Sequence, residues 1–417
     1  MAKTMCSPSA TPSAARRPPH RPWQRDESGV SLIELLVGMA IGLLTVLVIT
    51  QVMSLYESQK RSTTAGADAQ INGAVALHAL QRELQMAGWG MTSGGAAGCQ
   101  TRYKFQTAAT REFSLAPVEI GDGGSGGADT LTIRRGGDSQ GAALPVKIKG
   151  HFRNATQFDL DGATNIAFAQ SDLVLAVPKT LVKDSFWCVL FNVSETAATG
   201  AIAIKHEVIS AAPWNQSGND NPDNSPVAPA TVALHIYPGA GASDVAFEAG
   251  SYIVNLGSLV GARYRIQQGK LQKADVSLLK TTGPVAPLPA DEKWQDLQPQ
   301  IVDLQAVYGK DNSDPRDNVA DVWNSSTPTT AEEWSRVVAV RIALVARSAH
   351  FEKEEVTAAR PADCSKGPPT TGSYPVWSPA GDGNWECLNV NGQSDWQHFR
   401  YKVFETVVPL RNVLWQS

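Results

Sequence analysis

The chain has 417 residues, 42% of them hydrophobic and 18% charged, and its formal net charge is −4. This length is ample for one large or two modest domains. The charge excludes a global basic field that would draw the chain to nucleic acid, so we expect no direct nucleic-acid partner. The 35 glycines and 25 prolines indicate many turns.

Residues 1–29 form a basic leader that is rich in Pro, Ser and Ala. The leader carries five basic residues against two acids and has no apolar run, so we expect it to be disordered. A basic flank before an apolar segment predicts that the leader stays on the inner side of the membrane and that the rest of the chain lies on the outer side.

An apolar run follows, and we predict a transmembrane helix over residues 30–50. No charged residue occurs from Leu35 to Ile49, whereas Glu34 lies at the mouth of the run. An acid at the membrane centre costs roughly 2.5–3.5 kcal/mol, so such acids usually mark function. A secretory cleavage site would follow the apolar region, but here the small residue, Gly29, precedes it. Cleavage after Gly29 would leave the apolar segment attached; an uncleaved signal anchor is the alternative.

The stretch from Gly29 to Glu34, GVSLIE, resembles the processing site of type IV prepilins and type II secretion pseudopilins. The resemblance implies a cut after Gly29 and N-methylation of Val30, although mature pilins more often begin with Phe or Met. Pairing Glu34 with the N-terminus of a neighbouring subunit would neutralise two charges that are expensive in lipid. Glu34 could instead pair within another complex. Gly38 and Gly42 permit close helix approach, or they are ordinary membrane-helix glycines.

We predict one continuous helix from Ser31 to about Ala87, with residues 51–90 as its amphipathic half. The apolar residues of that half recur mainly every three or four positions, and this stripe should bury against a sheet. Its members are Ile71, Val75, Leu77, Leu80, Leu84 and Ala87. Gly88 and Gly90 should end the helix.

Residues 91–417 show a pattern of strands and turns. We predict strands at Asp129–Arg135, Asp172–Val177, Ser251–Leu256, Ile301–Tyr308, Val337–Ala346 and Phe399–Val408, and a hairpin over residues 263–273. The alternation in residues 338–344 predicts one buried face. Loops rich in Gly, Asn and Pro separate these runs, notably at 121–127 and 215–229. A long N-terminal helix packed on an antiparallel, sheet-rich globular head is an α+β, pilin-like fold.

Loss of the leader would remove Cys6 and leave four cysteines: Cys99, Cys188, Cys364 and Cys387. An even count on the outer side of a membrane indicates two disulfides. Of the three pairings, we favour Cys364–Cys387, because the intervening loop is short, and hence Cys99–Cys188. No CxxC spacing occurs that would indicate zinc.

Several further blocks resemble the PilW family of type IV pilus minor pilins. They are Asn72-Gly73 with the following Ala76 to Trp89, Tyr308-Gly309, residues 338–348 and residues 403–412. The resemblance implies a minor pilin that primes assembly and lies at or near the filament tip. It implies as partners other minor pilins, the major pilin, the prepilin peptidase/N-methyltransferase, the inner-membrane assembly platform and a tip adhesin. The head would lie in the periplasm.

The sequence does not support catalysis. Gly121, Gly123 and Gly126 match GxGxxG, but a dinucleotide site needs a following helix, and here a strand-like run follows. The seven histidines are scattered, and neither GxSxG nor HExxH occurs. We expect no enzyme activity and no cofactor. The alternatives are a type II secretion minor pseudopilin and a membrane-anchored periplasmic enzyme or binding protein.

One acidic stretch allows two interpretations. Asp311, Ser313, Asp317 and Asp321 could form a calcium loop of the kind that related proteins carry. Pro315 and Arg316 stand where such a loop needs Gly and Asp, so a solvated turn is favoured. The tryptophans at 377, 385 and 396 near the Cys364–Cys387 loop are equally consistent with an interface and with a core.

Overall fold

A computed structural model describes residues 29–91, 95–124, 126–137, 144–153, 155–182, 186–215, 237–238, 245–367, 374–392 and 394–414. Residues 1–28, which were expected to be disordered, and most of the predicted 215–229 loop therefore lie outside the described residues. The chain divides into two compact units, residues 1–60 and 61–417. Helix accounts for 20% and strand for 36% of the structure, which confirms the α+β prediction.

Three α-helices are present in the described ranges: α1 (Leu32–Gln85), α2 (Ala331–Ser335) and α3 (Arg411–Leu414). The bounds of α1 differ from the prediction by one residue at its start and two at its end. Gly88 and Gly90 follow α1 with φ angles of 77° and 67°, a left-handed backbone that glycine adopts without strain. The Gly88 N–H donates to the Arg134 carbonyl at 2.9 Å, so the chain turns directly onto the sheet.

The strands of the second unit are mostly short. They are β1 (Cys99–Tyr103), β2 (Arg111–Leu115), β3 (Val118–Gly121), β4 (Thr130–Gly136), β5 (Val146–Phe152), β6 (Gln157–Leu160), β7 (Leu173–Val177), β8 (Cys188–Asn192), β9 (Ala203–Lys205), β10 (Val245–Phe247), β11 (Tyr252–Gly257), β12 (Leu259–Gln267), β13 (Lys270–Asp275), β14 (Leu278–Leu279), β15 (Gly283–Pro284), β16 (Trp294–Pro299), β17 (Ile301–Lys310), β18 (Val322–Asn324), β19 (Val337–Arg347), β20 (Val376–Trp377), β21 (Glu386–Cys387) and β22 (Tyr401–Pro409). All six predicted strands are found, with boundary shifts of up to two residues.

These strands form four sheets. The first has the order β2-β1-β8-β7-β11-β5-β6-β9, with β10 beside β5, and the second has the order β15-β14-β12-β13-β16, with β4 on β12 and β3 on β4. The third has the order β18-β17-β19-β22, and β20-β21 is a small ribbon. Among the described strands, β1 and β8 are the one parallel pair. The predicted hairpin is the β12–β13 pair, and its turn at Gln268-Gly269 has φ angles of 51° and 69°.

The buried face of α1 differs from the predicted stripe. Ile71 and Val75 are 60% and 50% exposed, so their predicted burial is wrong. The face that packs on the second and third sheets is Ala69, Gly73, Ala76, Leu80, Leu84 and Ala87. A side chain at Gly73 would overlap the ring of Phe404 on β22. From Ala69 to Ala76 the helix lies so close to the sheet that small residues occupy its inner face, whereas Leu80 and Leu84 fill that face nearer its end.

Both disulfides of the favoured pairing are present. Cys99–Cys188 joins β1 to β8 with a Cα–Cα separation of 6.0 Å, and Cys364–Cys387 closes a loop with a separation of 5.5 Å. Trp377 is 3% exposed, and the other two tryptophans of this region pack against the same core. These tryptophans therefore fill a core, which decides between the two interpretations left open by the sequence.

Candidate functional site

The first part of α1 presents an apolar surface that the rest of the described chain leaves uncovered. Leu32–Glu57 has 26 residues and is strongly apolar, and none of its most apolar stretch is buried. At 1.5 Å per residue it is about 39 Å long, whereas a hydrocarbon core is about 30 Å thick. Within the described ranges, this is the one helix long and apolar enough to cross a membrane. It fits a membrane anchor.

Glu34, Gly38 and Gly42 lie along one face of this segment. A four-residue spacing advances about 40° around an α-helix, so the three positions form one slowly turning row. A Cβ added at Gly38 or Gly42 would meet no atom within 4 Å. Packing within the described part of the chain therefore does not explain these glycines, and the row leaves a shallow trough that a second helix could enter.

Glu34 lies in the first turn of α1, where a carboxylate interacts favourably with the positive end of the helix dipole. Its side chain is exposed and has no hydrogen bond or ion pair to the described part of the chain. A membrane carboxylate without an internal partner needs an external one, because desolvating an unpaired charge is expensive. The assembly role of Glu34 and the packing roles of Gly38 and Gly42 remain predictions.

The predicted processing site directly precedes α1. The Ser31 carbonyl accepts from the N–H groups of Glu34 and Leu35, at 2.9 and 3.1 Å, so helical hydrogen bonding begins at that residue. Gly29 and Val30 are therefore non-helical, and the Val30 residue is 69% exposed. A non-helical, exposed bond is what a peptidase requires. Cleavage after Gly29 stays a prediction.

The three later blocks that resemble the PilW family, Tyr308-Gly309 and residues 338–348 and 403–412, meet in the third sheet. Strand β19 lies between β17 and β22, and its pattern is buried on both faces, not on one as predicted. Val340, Ile342 and Leu344 face the core beneath α1. Ala343 and Val345 face a separate core built from the disulfide loop.

A family model described as Type IV Pilus-assembly protein W matches residues 264–412. This match, over about a third of the chain, supports the PilW resemblance. The matched region runs from β12 through β22 into α3, so it contains the third sheet and the Cys364–Cys387 loop. The family implies a role in type IV pilus assembly. No curated protein and no solved structure matches the chain.

Within the PilW region, the acidic stretch after β17 is held by its own backbone. The Asp311 carboxylate accepts from the N–H groups of Ser313, Asp317 and Asn318, at 2.9, 3.0 and 2.7 Å. Burial of the Asp311 side chain opposes its ionisation, but these donors hold its pKa below the usual value. Asp321 accepts from the Asn312 N–H at 2.8 Å and from the Ser313 hydroxyl at 3.1 Å. In the described ranges, no group of three or more His, Cys, Asp or Glu could hold a metal ion.

Two buried acids were not identified from the sequence. Asp129 is 3% exposed and accepts from the N–H groups of Gly123 and Ala306, at 2.9 and 2.7 Å. Asp303 is fully buried and accepts from the Asn389 N–H at 2.8 Å. Burial raises the pKa of each carboxyl to about 6, although the donated hydrogen bonds oppose the shift. Asp129 links the glycine-rich loop to β17, and Asp303 links β17 to the disulfide region. Both acids therefore hold neighbouring segments in place.

A pair of buried histidines was also missed, because each lies alone in sequence. His151 and His206 are both 2% exposed, with ring centroids 4.8 Å apart, among the rings of Phe158 and Phe191. His151 Nδ1 donates to the Gln157 carbonyl at 3.2 Å, whereas neither ring nitrogen of His206 has a hydrogen-bond partner among the described residues. Burial lowers the pKa of His151 to about 4 and holds that of His206 well below its usual value. Both rings are therefore neutral members of an aromatic core at neutral pH.

Proposed function

We propose that this chain is a minor pilin that is anchored in the inner membrane and primes assembly of the type IV pilus. The family match over residues 264–412 carries the proposal. The membrane-length segment with its exposed Glu34 supports it, because a subunit needs both an anchor and an uncovered assembly face. The role is structural, without catalysis or a cofactor. Adhesion, twitching motility and DNA uptake are outputs of the assembled pilus.

In this proposal a prepilin peptidase cuts after Gly29 and methylates the new amine of Val30. The cut removes the basic leader and leaves the helix attached. The N-terminal cation then lies beside an apolar segment, where it is costly without a counter-charge. The carboxylate of Glu34 on a neighbouring subunit supplies that charge, and the pair sets the axial step between the two helices. Gly38 and Gly42 allow the helices to approach closely.

The proposed place in the machine follows from the size of the second unit. Residues 61–417 form one compact unit, which is bulky for a shaft in which every subunit repeats. We therefore propose a position at or near the tip, with the head in the periplasm before assembly. The proposed partners are other minor pilins, the major pilin, the assembly platform and a tip adhesin. Immunogold label spread evenly along filaments would contradict the tip position.

The first experiment is the N-terminal mass of the membrane-extracted protein, with and without prepilin peptidase. We expect a peptide that begins at methylated Val30 and that depends on the enzyme. An intact leader in both strains would contradict the proposal and favour a membrane-anchored enzyme or binding protein.

A matched pair of variants tests the assembly face. Glu34→Gln keeps the size of the side chain but removes the charge, whereas Glu57→Gln makes the same change at the far end of the apolar segment. We expect Glu34→Gln to insert in the membrane normally and to lower filament number at least tenfold, because the loss of an ion pair in lipid costs a few kcal/mol. Glu57→Gln should leave filament number unchanged. Wild-type piliation in Glu34→Gln would refute the pairing.

A further inference from the structure

Strand β22 forms an outer edge of the third sheet. It pairs with β19 through nine consecutive positions, from Tyr401 opposite Arg347 to Pro409 opposite Ala339, and the ladder contains no bulge. The sheet order places no described strand on its other side.

The hydrogen bonds at the two ends of β22 show which backbone groups face outward. The Leu410 N–H donates to the Val338 carbonyl at 2.9 Å, and the Arg400 carbonyl accepts from the Ser348 N–H at 2.8 Å. Because antiparallel pairing alternates, the even-numbered residues of β22 turn their N–H and C=O groups toward β19. The odd-numbered residues turn theirs away. In the described part of the chain, the backbone N–H groups of residues 401, 403, 405 and 407 make no hydrogen bond.

This edge is longer than the other edges of the described sheets. The other outer strands of the three large sheets have two to six residues; they are β2, β3, β9, β10, β15, β16 and β18. Strand β22 has nine residues, with one lysine near its start and one proline at its end. Natural proteins shorten, bulge or charge their free edges, because an open edge pairs with any available strand. A long, regular, open edge therefore indicates a partner strand.

We propose that β22 is a docking edge at which an extended segment of a different pilus subunit adds as a further strand. Main-chain hydrogen bonds would supply affinity, and the alternating side chains would supply selection. Val403 and Val407 lie on the same face of β22, and Val407 is 47% exposed. Glu405 lies between them and is held by Arg341 at 2.9 Å and by the Trp377 indole N–H at 2.8 Å. The partner segment would carry apolar residues beside the valines and a neutral or basic residue beside Glu405.

A second copy of this chain fits the edge less well. Full overlap of two antiparallel β22 strands places Glu405 opposite Glu405, and like charges directly opposite are destabilising. It also places Pro409, which has no N–H, in the outward row of each strand. That the partner is a pilus subunit rests on the proposed function, whereas the open edge does not.

The test uses the full chain in piliated cells, with a photo-crosslinking residue in place of Lys402 and, as a remote control, in place of Val319. Each is combined with Val407→Pro or with its matched control, Val407→Thr. Proline removes only an outward N–H, so the ladder to β19 is kept, whereas threonine retains that N–H. We expect an adduct between position 402 and another pilus subunit, reduced about tenfold by Val407→Pro and little changed by Val407→Thr.

Four outcomes would overturn the inference: no adduct from position 402, an adduct with a second copy only, an adduct with a protein outside the pilus, and equal adducts from the proline and threonine variants. If Val407→Pro lowers the melting temperature of the chain, amide hydrogen exchange decides instead. The N–H groups of Val403 and Val407 should then exchange more slowly in isolated filaments than in the detergent-extracted chain, and equal rates would refute the docking edge. Filament counts in a deletion strain test the proposed function separately. Lost filaments without an adduct would leave that function standing while the docking edge fell.

Discussion

Gly73 is the position where a single methyl group best tests how α1 packs. It lies on the buried face of the helix, and a Cβ there would overlap the ring of Phe404 on β22. Gly66 lies on the same helix, and a Cβ there would meet no atom within 4 Å. The two glycines therefore form a matched pair in which only the tertiary surroundings differ.

The expected effects follow from two opposing terms. Replacing glycine by alanine inside a helix favours folding by about 1 kcal/mol. Forcing an extra methyl group into a packed core costs typically about 1–3 kcal/mol. Gly66→Ala should raise the free energy of unfolding by the helix term alone. Gly73→Ala combines both terms, so its free energy of unfolding should fall by about 0–2 kcal/mol. The two variants should then differ by about 1–3 kcal/mol, or roughly 1–4 °C in melting temperature for a unit of this size.

The assay is thermal unfolding of the full chain in detergent, followed by tryptophan fluorescence, because the buried tryptophans report on the second unit. Adding Phe404→Leu to Gly73→Ala should restore part of the loss, since the shorter side chain leaves room for the methyl group. A double-mutant cycle over the two positions should show coupling. Equal melting temperatures for Gly73→Ala and Gly66→Ala would refute the close approach of the helix to β22.

Three further predictions follow from buried and crosslinked groups. Burial lowers the folded-state pKa of His206, so this residue destabilises the fold as the pH falls below 6.5, the pKa of an unfolded histidine. Relative to its effect at pH 7.5, His206→Phe should therefore raise the free energy of unfolding at pH 5 by about 2 kcal/mol. Equal shifts of the urea midpoint at the two pH values would contradict this. The double variant Cys99→Ala, Cys188→Ala should destabilise the fold more than removal of the Cys364–Cys387 disulfide. The difference should be about 1 kcal/mol in the loop-entropy model, because the first disulfide closes a loop of 89 residues and the second a loop of 23. Equal losses of unfolding free energy in denaturant titrations would contradict the loop argument. Calcium should leave the melting temperature unchanged, because backbone N–H groups already occupy the Asp311 carboxylate, and a calcium-dependent rise that Asp311→Asn abolishes would reverse this conclusion.

Local patterns predicted the elements well but identified their buried faces less well. The six strands and α1 were found because alternation, helical spacing and glycine stops are visible in a short window of sequence. Ile71 and Val75 were misplaced because hydrophobicity ranks them above Ala69, Gly73 and Ala76. The close contact with β22 reverses that ranking, and the contact partner lies more than 300 residues away in the chain. Strand β19 was expected to bury one face only. The disulfide loop that covers its other face comes later in the chain, so the local sequence of β19 does not show it.

The sequence by itself determined the membrane-length apolar helix, the acid near its start, the candidate processing site and the family resemblance, since each depends on residues that are adjacent or nearly so. It also favoured the correct disulfide pairing, because loop length ranks the alternatives. Only the tertiary structure showed the buried acids, the paired histidines and the open edge of β22. Burial, ring proximity and unpaired N–H groups are properties of neighbours in space, and those neighbours lie far apart in the sequence.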